Sequence, residues 1–266
     1  MNYKMLLPTY RERFLGLIDA LSALKNDRQI DGNGMFLNLG CGEGDLDDQI
    51  LEFFRSGNGC DVNFGDIAHC LRTRTDGRIQ YVVTDAHHLP YVTGRFDCVV
   101  CIDVIEHTED PQRVIQEAAR VLRPRGVAVF SFPRRRFPLS YDPINAALRS
   151  LGRKLAIGAY AYGHEKLIDD EEFVSWTSDA GLRLVYSRLL SRGLIGLLEC
   201  YWAGFAQSLL KANAGNQPCD LGKTRALRPS REVPSLVSVT DGIIALDRKL
   251  FSWSPASVGR ICILQK

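Results

Sequence analysis

The stretch FLNLGCGEGDLD, residues 36–47, decides the fold prediction. It places glycine at three alternate positions, Gly40, Gly42 and Gly44, directly after a short apolar run. A tight turn needs one or two glycines, whereas alternate glycines remove side chains so that a ligand can approach the backbone closely. Between a strand and a helix, such a loop also presents backbone N–H groups to that ligand. Glycines at this spacing also occur for packing reasons, so the loop needs support from its neighbours.

Short, almost continuous apolar runs alternate with helical patterns along the chain. The runs are MFLNLG, DVNFGD, IQYVVTD, FDCVVCID and GVAVFSF, as expected for parallel strands covered on both faces. Before the last run, Asp110 and Pro111 predict a helix start. One stripe of this helix is apolar: Val114, Ile115, Ala118 and Leu122. The alternation predicts a doubly wound α/β fold.

We predict a single domain over residues 1–266. An amphipathic helix around Phe14–Leu24 precedes the core, and a helix capped by Asp169 and two further strands come near its end. Two stretches break the alternation, and we interpret them as insertions that act as a lid or bind the acceptor. The predicted core is 30–136, 169–188 and the final strand 258–266, and the insertions are 137–168 and 189–255.

The composition is that of an ordinary globular protein. Hydrophobic residues make up 45% and charged residues 24% of the 266 residues, with a formal net charge of +2. A dedicated nucleic-acid binder would carry a larger basic excess. The eight cysteines are scattered, and Cys98 and Cys101 lie in a strand-like run without a second ligand pair, so we expect no zinc site. With no secretion signal in the sequence, we expect a cytoplasmic protein.

Two acids follow the predicted second and third strands. Asp66 ends DVNFGD, and a carboxylate there can accept hydrogen bonds from both hydroxyls of a ribose. Asp85 ends IQYVVTD and suits the exocyclic amine of an adenine. Each acid alone is as readily a helix cap. Together with the glycine loop, the two acids favour a ligand that contains a nucleoside.

These motifs together resemble the class I S-adenosylmethionine-dependent methyltransferases, especially the small-molecule group that includes quinone-biosynthesis enzymes. FLNLGCGEGDL resembles the first motif of that family, VNFGDI the strand with the ribose acid, and VVTDAHHLPY the adenine motif. RFDCVVCIDVIEHTEDPQRVIQEAARVLRPRGVAVFSFP follows the pattern of the fourth and fifth strands. The resemblance covers about residues 35–133. It implies a Rossmann-like sheet of seven strands with the last strand antiparallel.

The resemblance also implies S-adenosyl-L-methionine as cofactor, S-adenosyl-L-homocysteine as product, and a set of binding residues. Gly40, Cys41, Gly42 and Gly44 would lie near the methionine part, and Asp66 would hold the ribose. Ile67 and Ala86 would flank the adenine, Asp85 would meet its amine, and Ile102 and Asp103 would border the reacting end. Asn38 stands where many relatives carry an acid that helps to hold the ammonium group, so this position can accept a hydrogen bond but brings no charge.

Two histidines are candidates for a base or an acceptor-binding group, because an oxygen acceptor must lose a proton. His107 follows the fourth strand, and His164 lies in the first insertion. The alternatives are that His107 packs at a helix start and that His164 is a solvated loop residue. The Asn- or Asp-Pro-Pro-aromatic motif of base-amino methyltransferases is absent after the fourth strand. We therefore expect a small-molecule acceptor and not a nucleic acid.

The apolar stretch GLIGLLECYWAGFAQSLL, residues 193–210, leaves two interpretations open. It packs in the core or lid, or it forms a peripheral membrane surface, because basic residues flank it. A membrane surface would suit a lipid- or isoprenoid-linked acceptor. For the whole chain, the alternatives are an NAD(P)-dependent oxidoreductase, which would prefer G-x-G-x-x-G, and a cofactor-binding scaffold without activity.

Overall fold

Seven strands form the centre of the molecule. The computed structural model describes residues 2–74, 77–135, 148, 151–153, 167–198 and 232–266. The strands are β1 (Met35–Leu39), β2 (Ser56–Asp61), β3 (Ile79–Val83), β4 (Phe96–Ile102), β5 (Leu122–Pro133), β6 (Arg183–Leu190) and β7 (Gly259–Gln265).

The sheet has the order β3-β2-β1-β4-β5-β7-β6. Strands β1 to β5 pair in parallel, and β7 runs antiparallel between β5 and β6. The predicted seven-stranded sheet with an antiparallel last strand is therefore confirmed. The chain order reverses between β1 and β4, and doubly wound sheets bind ligands at the carboxyl ends of the strands at such a point.

Helices cover both faces of this sheet. The described helices are α1 (Pro8–Asn26), α2 (Asp47–Leu51), α3 (Phe64–Thr73), α4 (Pro111–Val121), α5 (Asp170–Asp179), α6 (Gly193–Leu197) and α7 (Val237–Leu250). Two 3₁₀ turns, Tyr3–Leu6 and Ile105–His107, accompany them. The Asp110 carboxylate accepts a hydrogen bond from the N–H of Arg113, 3.0 Å away, so the predicted start of α4 is confirmed.

Alternate residues of the central strands supply two separate cores. On β4, Val99 and Cys101 pack on the side of α4 and α5, whereas Cys98 and Val100 pack on the side of α1 and α2. β5 divides its side chains between the two faces in the same way. The near-continuous apolar runs of the sequence are thus the mark of strands buried on both faces.

The predicted position of the second strand, DVNFGD, is wrong. β2 ends at Asp61, and Phe64 begins α3, for which Asn63 accepts a capping hydrogen bond from the N–H of Gly65 at 2.9 Å. β2 carries little apolar side chain, because its neighbours fill the space: a Cβ on Gly57 would lie 2.3 Å from the ring of Phe36. A strand with two glycines shows no hydrophobic pattern to read.

The predicted division into core and insertions stays a prediction. β6 extends to Leu190, which is two residues past the predicted core boundary at 188. The described part of the second insertion includes α6 and α7, and α7 packs beside α1. Most of 137–168 lies outside the described residues.

Gly57, which is crowded by a neighbouring side chain, and Gly242, which is not, give a stability prediction. G57A forces a methyl group against Phe36, and overpacking of this kind costs about 1–3 kcal/mol. In the matched control G242A, no heavy atom lies within 4 Å of the new Cβ, and alanine in a helix interior stabilises by about 0.5–1 kcal/mol. Urea unfolding measures both changes. Equal stability of the two variants would contradict the packing of β1 against β2.

Candidate functional site

The glycine loop joins β1 to α2 at the carboxyl end of the sheet. Gly40, Gly42 and Gly44 all have positive φ, +74°, +52° and +74°. A Cβ on Gly40 would lie 2.3 Å from Val104, so this glycine is needed for close packing. At Gly42 no heavy atom lies within 4 Å of the same position, so a ligand can reach the backbone there. Cys41 is buried, and its N–H donates to the carbonyl of Cys60.

Asp61 is the acid that the second strand brings to this loop. Its Oδ2 accepts a hydrogen bond from the N–H of Gly42 at 2.9 Å, and its Oδ1 accepts one from Asn63 at 2.8 Å. The sequence interpretation missed this residue. The available signal was the acid two residues before the cap Asn63, close to the point where the strand ends and the helix begins.

Asp66 and Ile67 do not lie at a strand end. Both sit in the first turns of α3 and are buried, and Ile67 is only 2% exposed. The predicted position of Asp66 at a strand end is thus wrong, because β2 ends at Asp61, while the roles given to Asp66 and Ile67 stay predictions. Val62, directly after Asp61, is exposed.

Asp85 follows β3 as predicted and lies at the same rim of the sheet. Its Oδ1 accepts a hydrogen bond from the N–H of His87 at 2.9 Å and lies 2.6 Å from His87 Nδ1. Desolvation opposes ionisation of Asp85, but the hydrogen bonds from His87 outweigh it and lower the pKa of the carboxyl. The next residue, Ala86, packs partly buried on the core. Asp85 is therefore an ionised acceptor beside a small apolar surface.

A buried carboxylate stands directly against Asn38. Asn38 Nδ2 donates to Asp47 Oδ1 at 2.6 Å, and the hydroxyl of Tyr81 donates to Asp47 Oδ2 at 2.7 Å. Burial raises the pKa of Asp47, and these two hydrogen bonds oppose the rise. Asp47 therefore places a buried carboxyl group directly against the amide of Asn38.

The end of β4 holds Ile102 and Asp103 at the rim. Asp103 has a φ of +54°, an uncommon conformation for a residue with a side chain. Its N–H donates to the carbonyl of Ser131 at 3.0 Å, and its Oδ1 accepts from the Ser131 hydroxyl at 2.8 Å. Asp103 also forms an ion pair with Arg13 of α1. These contacts fix the backbone of Asp103 in a strained turn, which is typical of functional sites.

The N-terminal segment contacts the glycine loop. The sequence interpretation missed this contact because it treated α1 as an amphipathic helix only. Lys4 forms an ion pair with Asp45 of the glycine loop. The Tyr10 hydroxyl is buried without a hydrogen-bond partner among the described residues. Burial first, and then the carboxylate of Asp45, raise the pKa of Tyr10. The available sequence signal was a pair of polar residues, Tyr10 and Arg13, on the buried side of α1.

His107 ends the 3₁₀ turn after β4, four residues beyond Asp103 in the chain, and its role as a base or acceptor-binding group stays a prediction. Its Nε2 is 3.8 Å from Oε1 of the buried Glu106. His164 lies outside the described residues.

Cys98 and Cys101 are buried strand residues on opposite faces of the sheet. Within the described ranges, no group of three or more His, Cys, Asp or Glu side chains has a geometry that could hold a metal ion.

Comparisons with known proteins point to one family. Residues 37–130 match the family model described as a methyltransferase domain. The ubiquinone biosynthesis O-methyltransferase of Coxiella burnetii is 28% identical over 181 residues, which cover 67% of this chain and 76% of the relative. Residues 37–130 are therefore a methyltransferase domain, and the sheet order is that of the class I S-adenosylmethionine-dependent methyltransferase fold.

Solved structures agree on the fold. A putative methyltransferase from Bacillus halodurans superposes with a TM-score of 0.57 at 14% identity, covering 93% of this chain and 99% of that one. The [4+2]-cyclase SpnF superposes with a TM-score of 0.57 at 17% identity, covering 94% of this chain and 80% of that one. At such identities the likeness concerns the fold alone.

The residues at the rim fit the cofactor that the family uses. S-adenosylmethionine carries a ribose diol, an adenine amine and an amino acid end with a sulfonium. The open backbone at Gly42 and the carboxylates of Asp61 and Asp85 match these groups.

The hydrogen bond between Asn38 and Asp47 gives a prediction for stability and for cofactor binding. N38D sets two buried carboxylates against each other and destabilises the protein by about 2–4 kcal/mol. D47N removes the charge and weakens S-adenosylmethionine binding. The exchange variant N38D/D47N restores one carboxylate and one amide, so its unfolding free energy returns to within about 1 kcal/mol of wild type. Urea unfolding and calorimetry test this, and strictly additive losses in the double variant would contradict it.

Proposed function

We propose that this methyltransferase transfers the methyl group of S-adenosylmethionine to a hydroxyl oxygen of a small molecule. One observation carries the proposal: the glycine loop, Asp61 and Asp85 lie along one rim that ends at Asp103 and His107. Relatives named for O-methylation in ubiquinone biosynthesis support oxygen as the nucleophile.

Each part of the cofactor has a proposed partner. Asp61 accepts hydrogen bonds from the ribose hydroxyls in place of Asp66, and Val62 and Ala86 flank the adenine, whose amine meets Asp85. The backbone of Gly40 and Gly42 faces the amino acid end. Asp47, through Asn38, keeps a negative charge beneath the loop near the ammonium group.

Catalysis rests on alignment and on the exclusion of water. When bound, S-adenosylmethionine supplies an activated methyl on a sulfonium, which the acceptor oxygen displaces in line. The chain therefore needs to hold the two reactants in register, and positioning can contribute about 7–11 kcal/mol to lowering a barrier. The N-terminal segment closes the site from one side, since Lys4 and Arg13 pair with Asp45 and Asp103.

His107 is the proposed contact with the acceptor at the end of β4. It follows Glu106 in the 3₁₀ turn, and its side chain is 22% exposed, so it reaches both the buried carboxyl and the surface. An imidazole there can orient a hydroxyl or accept its proton.

A lipid-linked acceptor is a second proposal, supported by an apolar stripe on α7 and its flanks. The stripe consists of Leu236, Val239, Leu246, Leu250 and Trp253, all exposed. Trp253 is 78% exposed, and Lys249 lies in the last turn of α7. An apolar stripe with tryptophan and a basic residue suits a helix lying on a membrane surface.

Of the predicted stretch 193–210, only residues 193–198 are described. No helix in the described ranges is long and apolar enough to cross a bilayer.

Calorimetry with S-adenosylhomocysteine tests the cofactor assignment. D61N weakens binding at least tenfold, by about 1.4 kcal/mol or more, because the diol loses a charged acceptor. The matched variant D66N binds within threefold of wild type. NAD produces no heat in any variant. Release of methyl to catechol-type hydroxyl compounds then separates an enzyme from a scaffold. Weaker binding in D66N than in D61N would refute the assignment of the ribose acid.

Vesicle flotation tests the membrane proposal. Wild-type protein co-floats with anionic phosphatidylglycerol vesicles at low salt, and L246Q/L250Q reduces the bound fraction several-fold because it removes apolar contact area. S235A, at an exposed position beside the stripe, is the control and binds like wild type. If wild-type protein stays unbound, the membrane proposal fails, while the methyltransferase assignment is unaffected.

A further inference from the structure

A carboxyl group is buried at the reacting end of the site without a hydrogen bond from any other described residue. Glu106 is 1% exposed, and no other described residue donates a hydrogen bond to Oε1 or Oε2. Leaving a buried carboxyl in this state is costly, and proteins satisfy the great majority of such groups. A group kept at that cost, next to the site of reaction, is a candidate for chemistry.

The surroundings favour the neutral form of Glu106. Burial raises the pKa of this carboxyl well above its usual range and the charge of Asp103 raises it further, while the backbone N–H of Glu106 itself and then Arg13 oppose the rise. Asp103 is held by its ion pair with Arg13 and by the hydrogen bond from the hydroxyl of Ser131. Of the other described titratable groups nearby, Cys101 is fully buried beside Glu106, and His107 faces Oε1 from 3.8 Å.

Position links this carboxyl to the methyl group. Glu106 stands three residues after Asp103, in the 3₁₀ turn that follows β4. In the proposed function, the end of β4 borders the sulfonium. A positive charge brought next to a buried carboxyl favours its ionised form. Binding of the cofactor thus brings the positive charge of the sulfonium next to Glu106.

We propose that Glu106 holds a proton while the cofactor site is empty, loses it when the sulfonium binds, and then serves as the base for the acceptor hydroxyl. This inference rests on the proposed function. His107, in contact with both Glu106 and the surface, carries the released proton to solvent. The base is therefore active only when the methyl donor is in place.

The step balances without a further reactant. The oxygen of the acceptor forms a bond to the methyl carbon as the carbon–sulfur bond breaks, and the electron pair of that bond returns to sulfur. The hydroxyl proton moves to the Glu106 carboxylate. The products are a methyl ether, a neutral thioether and a protonated Glu106. Loss of the sulfonium charge restores the condition under which Glu106 keeps its proton.

Calorimetry at one pH in two buffers of different ionisation enthalpy tests the inference without an acceptor. The ligands are S-adenosylmethionine and S-adenosylhomocysteine, which differ by the methyl group and its positive charge. Near pH 7, we expect wild-type protein to release on the order of 0.5 proton more with the sulfonium than with the thioether. E106Q abolishes this difference, and the control E109Q, on an exposed residue, keeps it.

Folding of the variant is checked separately. Gln has the size of Glu and needs no proton, so E106Q binds S-adenosylhomocysteine within about threefold of wild type and unfolds at an equal or higher temperature. A raised pKa in the folded state lowers the stability of wild-type protein as pH rises above about 4.3, and E106Q lacks this loss. With a hydroxyl acceptor, E106Q lowers kcat about 100-fold or more.

The outcomes are distinct. Equal proton release with both ligands, or a difference that survives in E106Q, overturns the role of Glu106 and leaves the methyltransferase assignment intact. Absence of heat with either ligand in wild-type protein overturns the proposed function and this inference together.

Discussion

The hydrogen bond from the Gly42 N–H to Asp61 is the contact on which the site depends. It joins the loop after β1 to the end of β2 across a distance of 2.9 Å, and it fixes the Asp61 carboxyl group beside an open stretch of backbone. Gly42 can hold this position because it has no side chain and tolerates a positive φ. The order of the sheet brings β4 to the other side of β1, and Val104, which follows β4, packs against Gly40 of the same loop.

Negative charge is concentrated along this rim, which suits a cofactor with a cationic centre. Asp61, Asp85 and Asp103 follow three different strands, and Asp47 lies beneath the loop. Two cations from the N-terminal segment pair with acids at this rim. Arg13 of α1 pairs with Asp103, and Lys4 pairs with Asp45 of the glycine loop. The N-terminal segment therefore closes the site and balances part of its charge, and the sulfonium would balance more.

Most of the fold followed from the sequence because its strands are buried on both faces and its helices are capped locally. The runs around Val99 and Ala128 are apolar without interruption, and Asp110 with Pro111 marks the start of α4. The second strand could not be read in this way. Gly57 and Gly59 leave room for the rings of Phe36 and Tyr81, so the apolar surface of β2 is supplied by its neighbours.

The site was predictable in part, for the same reasons. The glycine loop, Asp85 and Asp103 follow strands that the sequence locates well, whereas the error in the position of β2 hid Asp61, the acid that ends this strand. The contacts of Asp47 and Tyr10 join residues distant in the chain, which local patterns do not reveal.

A crystal structure with S-adenosylhomocysteine tests the central claim most directly. We predict that both ribose hydroxyls lie within hydrogen-bond distance of the Asp61 carboxylate and that the thioether sulfur faces the segment from Asp103 to Glu106. Ribose hydroxyls bound to Asp66, or a ligand seated away from the Gly42 backbone, would contradict the account.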